Sequence, residues 1–114
     1  MTRILLVEDE RDVRLIIEHV LIDAEYQVDT ADTASGAREL INSGSYDVLL
    51  ADVRLPDGTG MEVADAARDK GINAILITGY AFSLPAWVGD RYDVLLKPVR
   101  PTEIITAIKR VLQS

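Results

Sequence analysis

Three acidic residues directly follow two apolar runs of the chain. Asp52 follows the run 48–51, and Glu8 and Asp9 follow the run 4–7. A carboxylate at the end of a buried strand can attack an electrophile or bind a metal, although Asp also commonly begins a turn. Carboxylates that share a pocket repel one another and require a cation. Lys97, which follows the run 93–96, and Mg²⁺, which prefers oxygen ligands, are the two cations that this pattern indicates.

Thr78 adds a hydroxyl at the end of a further apolar run, 74–77. A carboxylate next to Mg²⁺, a lysine and a hydroxyl suits transfer of a phosphoryl group to the carboxylate. Asp52 would attack in line, the metal and Lys97 would neutralise the phosphoryl oxygens, and Thr78 would donate a hydrogen bond to one of them. The residue types therefore favour phosphoryl transfer to Asp52.

The elements that must position these residues alternate along the chain. Short apolar or alternating runs predict strands at 4–7, 27–31, 48–52, 74–77 and 93–96. Apolar steps of three and four predict helices at about 12–24, from a cap at Thr33 or Ser35 to Gly44, at 60–71 and at about 101–112. This alternation predicts an α/β fold, a flavodoxin-like doubly wound parallel sheet of five strands in the order 2-1-3-4-5. In that order the ends of strands one, three, four and five are neighbours.

Two stretches of the helical pattern need separate comment. In the first helix, Val13, Ile16, Ile17, Val20 and Leu21 form the predicted inward face. Between 80 and 92 the pattern is weak and contains Pro85, so we expect a short or irregular fourth helix of one or two turns. Phe82 and Trp87 in this segment are predicted to lie in the core, the alternative being a patch that binds a partner.

Composition limits the class of protein. The chain has 114 residues, no cysteine, a hydrophobic fraction of 48% and a net charge of −7. This predicts a single domain without disulfides or thiolate metal sites. The acidity argues against direct binding of nucleic acid, and no run is long enough for a signal peptide or a membrane span. We therefore expect a cytoplasmic protein that does not bind membranes.

In combination, these residues resemble the receiver domains of two-component response regulators. The resemblance rests on Glu8-Asp9, on Asp52 with the sequence Leu-Pro-Asp-Gly-Thr-Gly that follows at 55–60, and on Thr78 and Lys97-Pro98. It covers essentially the whole chain, and we expect 1–114 to be a stand-alone receiver domain without an output domain.

The resemblance implies a role for each of these residues. Asp52 matches the phospho-acceptor, Thr78 the switch hydroxyl and Lys97 the partner of the phosphoryl group. The implied magnesium ligands are Asp9 directly, Glu8 through water, Asp52, and the backbone carbonyl of Arg54. The Lys97–Pro98 peptide bond is expected to be cis.

The resemblance also implies a function. The chain would be a signalling domain and not an enzyme in the usual sense, one that catalyses its own phosphorylation and dephosphorylation. A sensor histidine kinase or a phosphotransfer protein would donate the phosphoryl group in the presence of Mg²⁺. The readout would be binding of a downstream protein, or the chain would carry phosphate within a phosphorelay.

Two departures from the usual receiver pattern point to an atypical subgroup. Val94 stands three residues before Lys97, where receivers usually have an aromatic switch residue. Thr78-Gly79-Tyr80 is similar to the end of the Phe-Ala-Thr-Gly-Tyr motif of a subgroup with a reduced fourth helix, although Leu76 and Ile77 replace its first two residues. Arg54 and Tyr80 occupy positions that influence phosphoryl lifetime in the family, or are simply exposed loop residues.

Three other functions are compatible with parts of the pattern. A flavodoxin-like FMN-binding protein would need a Ser/Thr/Gly-rich phosphate loop where Glu8-Asp9-Glu10 stand. A phosphoaspartate hydrolase of the haloacid dehalogenase type would need a second acid where Arg54 stands. A degenerate receiver that acts only as a scaffold stays open. The single histidine, His19, lies off the apolar stripe and is expected on the surface.

Overall fold

A computed structural model describes residues 1–80 and 84–113. In chain order the elements are β1 (Arg3–Val7), α1 (Arg11–Asp23), β2 (Gln27–Ala31), α2 (Ala34–Ser43), β3 (Val48–Asp52), β4 (Arg54–Leu55), β5 (Gly58–Thr59), α3 (Gly60–Asp69), β6 (Asn73–Thr78), α4 (Trp87–Arg91), β7 (Asp93–Leu96) and α5 (Pro101–Gln113). The five predicted strands and the predicted helices are all present, within one or two residues of their expected ends. The antiparallel hairpin β4–β5 was not predicted.

The main sheet is parallel throughout and has the order β2-β1-β3-β6-β7. These are the five predicted strands in the predicted order 2-1-3-4-5. All five residues of β3 are buried, as expected for a central strand covered by helices on both faces. Val7 pairs with Ala51, and Asp52 pairs with Ile77, so the ends of β1, β3 and β6 lie side by side.

Alternate residues of the strands form two separate cores. Leu5, Leu49 and Leu76 pack with α2 and α3 on one face of the sheet. Leu6, Leu50 and Ile75 pack with α1 and α5 on the other. Each fully buried leucine or isoleucine contributes about 1.5–3 kcal/mol relative to an exposed one. The two cores therefore hold the strand ends at a common edge.

The inward face of α1 is narrower than predicted. Ile17 and Leu21 are buried, but Ile16 is 65% exposed, so its predicted place on the inward face is wrong. Successive residues of a helix are separated by about 100° around its axis, and seating Ile17 on the sheet turns Ile16 towards solvent. His19 is exposed, as expected.

The fourth helix is short, as predicted, with only five residues. Val88 is its buried residue, whereas Trp87 is 49% exposed, so the prediction that Trp87 lies in the core is wrong. A helix of little more than one turn presents few positions to the core, and Val88 occupies the inward one. Phe82, the other aromatic residue of this prediction, lies outside the described residues.

Local side-chain chemistry explains the ends of several helices. Thr33, rather than Ser35, caps α2 by accepting a hydrogen bond from the Gly36 amide. Thr59 and Glu62 form a reciprocal capping box at the start of α3. The Lys97–Pro98 bond is cis, as the resemblance implied. None of the helices in residues 1–80 and 84–113 has the length and hydropathy needed to cross a membrane.

Candidate functional site

The ends of β1, β3 and β7 bring the predicted charges together. Glu8 and Asp9 directly follow β1, Asp52 is the last residue of β3, and Lys97 directly follows β7. Because these strands are parallel, their carboxyl ends lie along one edge of the sheet, which is where ligands bind in folds of this type. The structure thus places four predicted site residues within reach of one another.

Lys97 is the cation at the centre of the site. Its Nζ donates a hydrogen bond to Asp52 Oδ2 at 2.6 Å and lies 2.9 Å from Glu8 Oε1 in an ion pair. Burial lowers the pKa of Lys97, but the hydrogen bond to Asp52 and the contact with Glu8 outweigh it and leave the pKa raised. The side chain therefore remains an ammonium ion shared by two carboxylates.

Glu8 is the most deeply buried acid of the site, at 1% exposure. Burial raises the pKa of Glu8 to about 7, assisted by the negative charge of Asp52 and opposed by Lys97 and the Glu10 amide. Its second oxygen, Oε2, accepts a hydrogen bond from the Glu10 amide at 3.2 Å. Glu8 is thus a carboxyl group that titrates near neutral pH because its surroundings disfavour its charge.

Asp52 is held by its own strand and by the start of α3. It is buried, and its Oδ1 accepts a hydrogen bond from the Arg54 amide at 3.0 Å. Gly60, the first residue of α3, lies so close that a Cβ there would be 2.1 Å from the Asp52 carbonyl oxygen. The sequence placed Gly60 at the start of a helix and at the end of the motif 55–60, without indicating this close approach. Its role is to let two backbone segments meet beneath Asp52.

Thr78 lies at the edge of the site without joining its charged contacts. It ends β6 one residue beyond Ile77, which pairs with Asp52, and it is buried. Its hydroxyl oxygen accepts a hydrogen bond from the Tyr80 amide at 2.9 Å, and its carbonyl accepts one from the Lys97 amide. The predicted hydroxyl is therefore near the predicted acids but is engaged by the loop that follows it.

A cleft of about 440 Å³ opens over these residues. Three acids, a stacked pair, a glycine and Lys97 form its lining: Asp9, Glu10, Asp52, Arg54, Tyr80, Gly79 and Lys97. The Arg54 guanidinium carbon lies 3.9 Å from the centroid of the Tyr80 ring, which is a close cation–π contact. Neither this stack nor the presence of Glu10 in the lining was predicted.

The donor set fits a hard divalent cation. Glu8, Asp9 and Asp52 each offer one carboxylate oxygen, and these oxygens all lie within 4.8 Å of one another. Glu8 Oε1 is buried and, among the described residues, accepts no hydrogen bond, its one close partner being the ion-paired Lys97. Carboxylate oxygens with water are the ligands that Mg²⁺ prefers. The residues present therefore fit a magnesium ion.

A further acid, in the loop that follows β3, caps a helix and does not join the cluster. Asp57 accepts hydrogen bonds from the amides of Ala34 and Ser35, at 2.7 and 3.0 Å, at the start of α2. These two bonds hold the pKa of Asp57 below its usual value. No local pattern could have revealed this cap, because the carboxylate and the amides are 22 and 23 residues apart.

The chain matches one protein family over nearly its whole length. A sequence model of the response regulator receiver domain matches residues 4–109. The chain belongs to the response regulator receiver family. The alternatives of an FMN-binding flavodoxin and of a haloacid dehalogenase-type hydrolase are thereby superseded, in keeping with the acids after β1 and with Arg54 two residues after Asp52.

Relatives of this receiver domain include longer regulatory proteins. The transcriptional regulatory protein DltR of Streptococcus agalactiae is 36% identical over 118 residues, which cover 98% of this chain and 53% of DltR. The regulatory protein VanR of Enterococcus faecium is 30% identical over 115 residues, covering 97% of this chain and 50% of VanR. The chain thus spans about half the length of the curated relatives it matches.

Solved structures of receiver domains superpose closely on this one. A CheY-like receiver domain protein from Methanospirillum hungatei JF-1 has a TM-score of 0.88 at 27% identity, over 99% of this chain and 94% of that one. The response regulator TrrA of Thermotoga maritima, solved in complex with Mg²⁺-BeF, has a TM-score of 0.84 at 31% identity, over 97% of this chain and 99% of that one. The fold is therefore that of receiver domains, one of which was solved with Mg²⁺-BeF.

Proposed function

We propose that Asp52 accepts a phosphoryl group from a sensor histidine kinase or a phosphotransfer protein, and that its phosphorylation state controls binding of a partner protein or the flow of phosphate in a phosphorelay. One observation carries this proposal. Asp52 is a buried carboxylate that is hydrogen-bonded to Lys97 at 2.6 Å, clusters with two further carboxylates and lines an open cleft. This combination provides a nucleophile, a cation and a place for a metal.

The transfer exchanges one bond to phosphorus for another. An Asp52 carboxylate oxygen forms the new O–P bond while the bond from phosphorus to the imidazole nitrogen of a phosphohistidine breaks, and its electron pair stays on that nitrogen. Asp52 is held in position by the Arg54 amide and by Lys97, so little reorganisation precedes the attack. Lys97 then shares its charge with the transferred phosphoryl oxygens.

The metal site belongs to the same arrangement. Asp9 and Asp52 would bind Mg²⁺ directly, Glu8 through water, and Arg54 through its backbone carbonyl. Bound Mg²⁺ supplies neutralisation of the negative charge that accumulates on the phosphoryl oxygens. Glu8 and Asp9 would therefore serve the reaction as ligands, and their excess negative charge is the reason that a cation is needed.

The receiver itself would provide the catalytic groups for both directions of phosphoryl flow. Once the phosphoryl group is on Asp52, Lys97 and Thr78 are the residues that would contact it. The Thr78 side chain would turn away from the Tyr80 amide, whose hydrogen bond it accepts, and donate its hydroxyl hydrogen to a phosphoryl oxygen. Water that reaches phosphorus through the same cleft would form a new O–P bond as the bond to the Asp52 oxygen breaks, which releases inorganic phosphate and returns Asp52 to the free carboxylate. We propose that this signalling takes place in the cytoplasm, through proteins and without direct contact with nucleic acid or membrane.

The test is incubation with a small phosphodonor, acetyl phosphate, and Mg²⁺, followed by intact-mass measurement. We expect one phosphoryl adduct on the unaltered chain, no adduct after chelation of Mg²⁺, and no adduct on Asp52→Asn. Asp57→Asn is the matched control, because Asp57 lies in the same loop but caps α2 and does not line the cleft. A chain that takes up no phosphoryl group, or an Asp52→Asn variant that keeps it, would refute the proposal.

We also propose that the chain belongs to the atypical subgroup with the Phe-Ala-Thr-Gly-Tyr motif. The five-residue α4 and the half-buried Val94 in place of an aromatic residue support this assignment. Amide exchange should then be fast in residues 84–91 compared with α3 and α5. Protection of these amides equal to that of α3 would contradict the assignment.

A further inference from the structure

The Arg54–Tyr80 stack joins two loops across the mouth of the candidate site. Arg54 lies two residues after Asp52 in the loop that follows β3, and Tyr80 lies two residues after Thr78 in the loop that follows β6. The guanidinium carbon is 3.9 Å from the ring centroid, and both side chains are exposed and line the same cleft as Asp52 and Lys97. The stack thus borders the cleft in which a phosphoryl group on Asp52 would stand.

Among the residues that the structure describes, no carboxylate forms an ion pair with Arg54. Within residues 1–80 and 84–113, the ion pairs involve other arginines and Lys97, and Arg54 takes part in none of them. Its guanidinium therefore keeps its donors for a further ligand while it rests on the Tyr80 ring. A planar guanidinium pairs strongly with phosphoryl oxygens, and more strongly than with the face of an exposed ring.

A second contact ties Tyr80 to the site through the backbone. The Tyr80 amide donates its hydrogen bond to the hydroxyl oxygen of Thr78 at 2.9 Å. If the Thr78 side chain turns to a phosphoryl oxygen, as proposed above, the Tyr80 amide loses the acceptor of its hydrogen bond. Arg54 and Thr78 both contact Tyr80, and both gain a better partner when Asp52 is phosphorylated.

We propose that Tyr80 is the aromatic switch of this receiver: phosphorylation of Asp52 draws Arg54 and Thr78 to the phosphoryl group, the Arg54–Tyr80 stack opens, and the Tyr80 ring moves to signal the phosphorylated state at the surface. The inference rests on the proposed function. It also accounts for Val94, because a half-buried valine in β7 cannot report the change as an aromatic residue would. Of the aromatic residues that the structure describes, Tyr80 is the one that lines the cleft.

The first test observes the ring itself. The chain contains four tyrosines, so labelling with 3-fluorotyrosine gives a small set of ¹⁹F NMR signals that Tyr→Phe variants assign. We expect the Tyr80 signal to shift when acetyl phosphate and Mg²⁺ phosphorylate the protein. We expect Arg54→Gln to move the Tyr80 signal of the unphosphorylated protein towards the phosphorylated position.

The chain offers a matched control for this experiment. Arg68 lies over the Tyr92 ring, with its guanidinium carbon 5.3 Å from the ring centroid, and neither residue lines the cleft. Arg68→Gln should leave the Tyr80 signal and its response unchanged. Intact mass on the same samples separates the outcomes: an adduct with an unmoved Tyr80 signal overturns the switch alone, whereas no adduct overturns the proposed function and the switch with it.

The second test uses the reciprocity of coupled equilibria. If the stack must open for a phosphoryl group to bind, the free energy of opening lowers the affinity for that group. Removal of the ring abolishes this cost and must raise the affinity by the corresponding factor. Beryllofluoride with Mg²⁺ serves as the probe, and Tyr80→Leu should raise its affinity about two- to fivefold, as expected for loss of an exposed cation–π contact. The exposed position of Tyr80 makes the variant compatible with folding.

A double-variant cycle identifies the route of this effect. In an Arg54→Gln background, Tyr80→Leu should no longer raise beryllofluoride affinity, because the residue that the ring competes for is absent. Arg68→Gln should leave the affinity unchanged. A Tyr80→Leu effect that is equal in both backgrounds, or an affinity that falls, would overturn the proposed competition for Arg54.

Discussion

Acids and cations lie at both ends of the sheet, but their charges are balanced at the amino ends of the strands and unbalanced at the carboxyl ends. Towards the amino ends of the strands, Asp29 binds Arg3 at 2.9 Å and accepts the Tyr46 hydroxyl hydrogen at 2.7 Å. Asp65 similarly binds Arg91 and accepts a hydrogen bond from the Tyr92 hydroxyl. At the carboxyl ends, the described structure places Glu8, Asp9 and Asp52 in one cluster around a single ammonium, that of Lys97.

The difference lies in charge balance and burial. Each amino-end acid has one arginine and one tyrosine, and the Arg3 and Asp29 side chains are 38% and 44% exposed. Such pairs contribute about 0–1 kcal/mol and leave nothing to be neutralised. At the carboxyl end, the Glu8 side chain is 1% exposed and its charge is not matched by an equal number of cations. A functional site is therefore distinguished by unbalanced buried charge, and not by the presence of acids and arginines.

Substitution of glycine should separate the two ends most strongly. Gly60→Ala places a methyl group 2.1 Å from the Asp52 carbonyl oxygen, whereas an alanine at Gly89, beside Tyr92, meets nothing within 4 Å. We expect Gly60→Ala to lower the free energy of unfolding by about 3 kcal/mol or more and to impair phosphorylation. Gly89→Ala should be neutral or stabilise α4 by up to about 1 kcal/mol. Urea denaturation measures both, and equal costs would contradict the close approach at Gly60.

Removal of one cation from each end should give the next largest difference. We expect Lys97→Met, at a pH of about 8 without Mg²⁺, to cost about 2 kcal/mol, because it leaves two buried carboxylates unpaired; the cost is kept down because Glu8 can take up a proton. Arg3→Met should cost about 1 kcal/mol or less, since its partner Asp29 is half-exposed and stays solvated. Thermal and urea unfolding of the two variants compare them directly. A larger cost for Arg3→Met would show that exposure does not govern these pairs.

Magnesium should stabilise the protein through the acids at the carboxyl ends of the strands and not through those at the amino ends. At a free Mg²⁺ concentration of about ten times its Kd, binding to the folded state adds about 1.4 kcal/mol to the free energy of unfolding. We expect Asp52→Asn to lose most of this increment and Asp29→Asn to keep it, because Asp29 already has its partners. The midpoint of thermal unfolding, measured against Mg²⁺ concentration, provides the comparison. Equal loss in the two variants would place the ion outside the acidic cluster.

The smallest expected effect occurs at high pH and concerns Tyr46, which contacts Asp29 towards the amino ends of the strands. Burial, followed by the hydrogen bond to Asp29 and the negative charge of Asp29, raises the pKa of Tyr46 to about 12 against the opposing charge of Arg3. Because the folded pKa exceeds the unfolded value of about 10, the stabilising contribution of Tyr46 is fully present below about pH 10 and is lost as the pH rises to about 12. Asp29→Asn should lower the pKa of Tyr46. Absorbance titration, with Tyr46→Phe to assign the signal, would contradict this account if Asp29→Asn left the high-pH midpoint unchanged.

Much of the fold was predictable because its signals are local. The apolar run of β3, with every residue buried, and the alternation of strands with helices indicated the parallel sheet and its order. The wrong predictions, for Ile16 and Trp87, concern apolar residues at helix positions where the pattern cannot tell which of two neighbouring directions meets the sheet. Packing of the whole helix against its neighbours decides that direction.

By itself, the sequence determined which chemical groups stand at the strand ends: Glu8, Asp9, Asp52, Thr78 and Lys97 each follow or end a short apolar run. The tertiary structure decided which of them touch. It joined Lys97 to Asp52, 45 residues apart, left the Thr78 hydroxyl with the Tyr80 amide, and stacked Arg54 on the Tyr80 ring. The physical reason is that hydrophobic periodicity depends only on residues that are close in sequence. Contacts between strand ends depend on sheet order, register and loop conformation, to which the whole chain contributes.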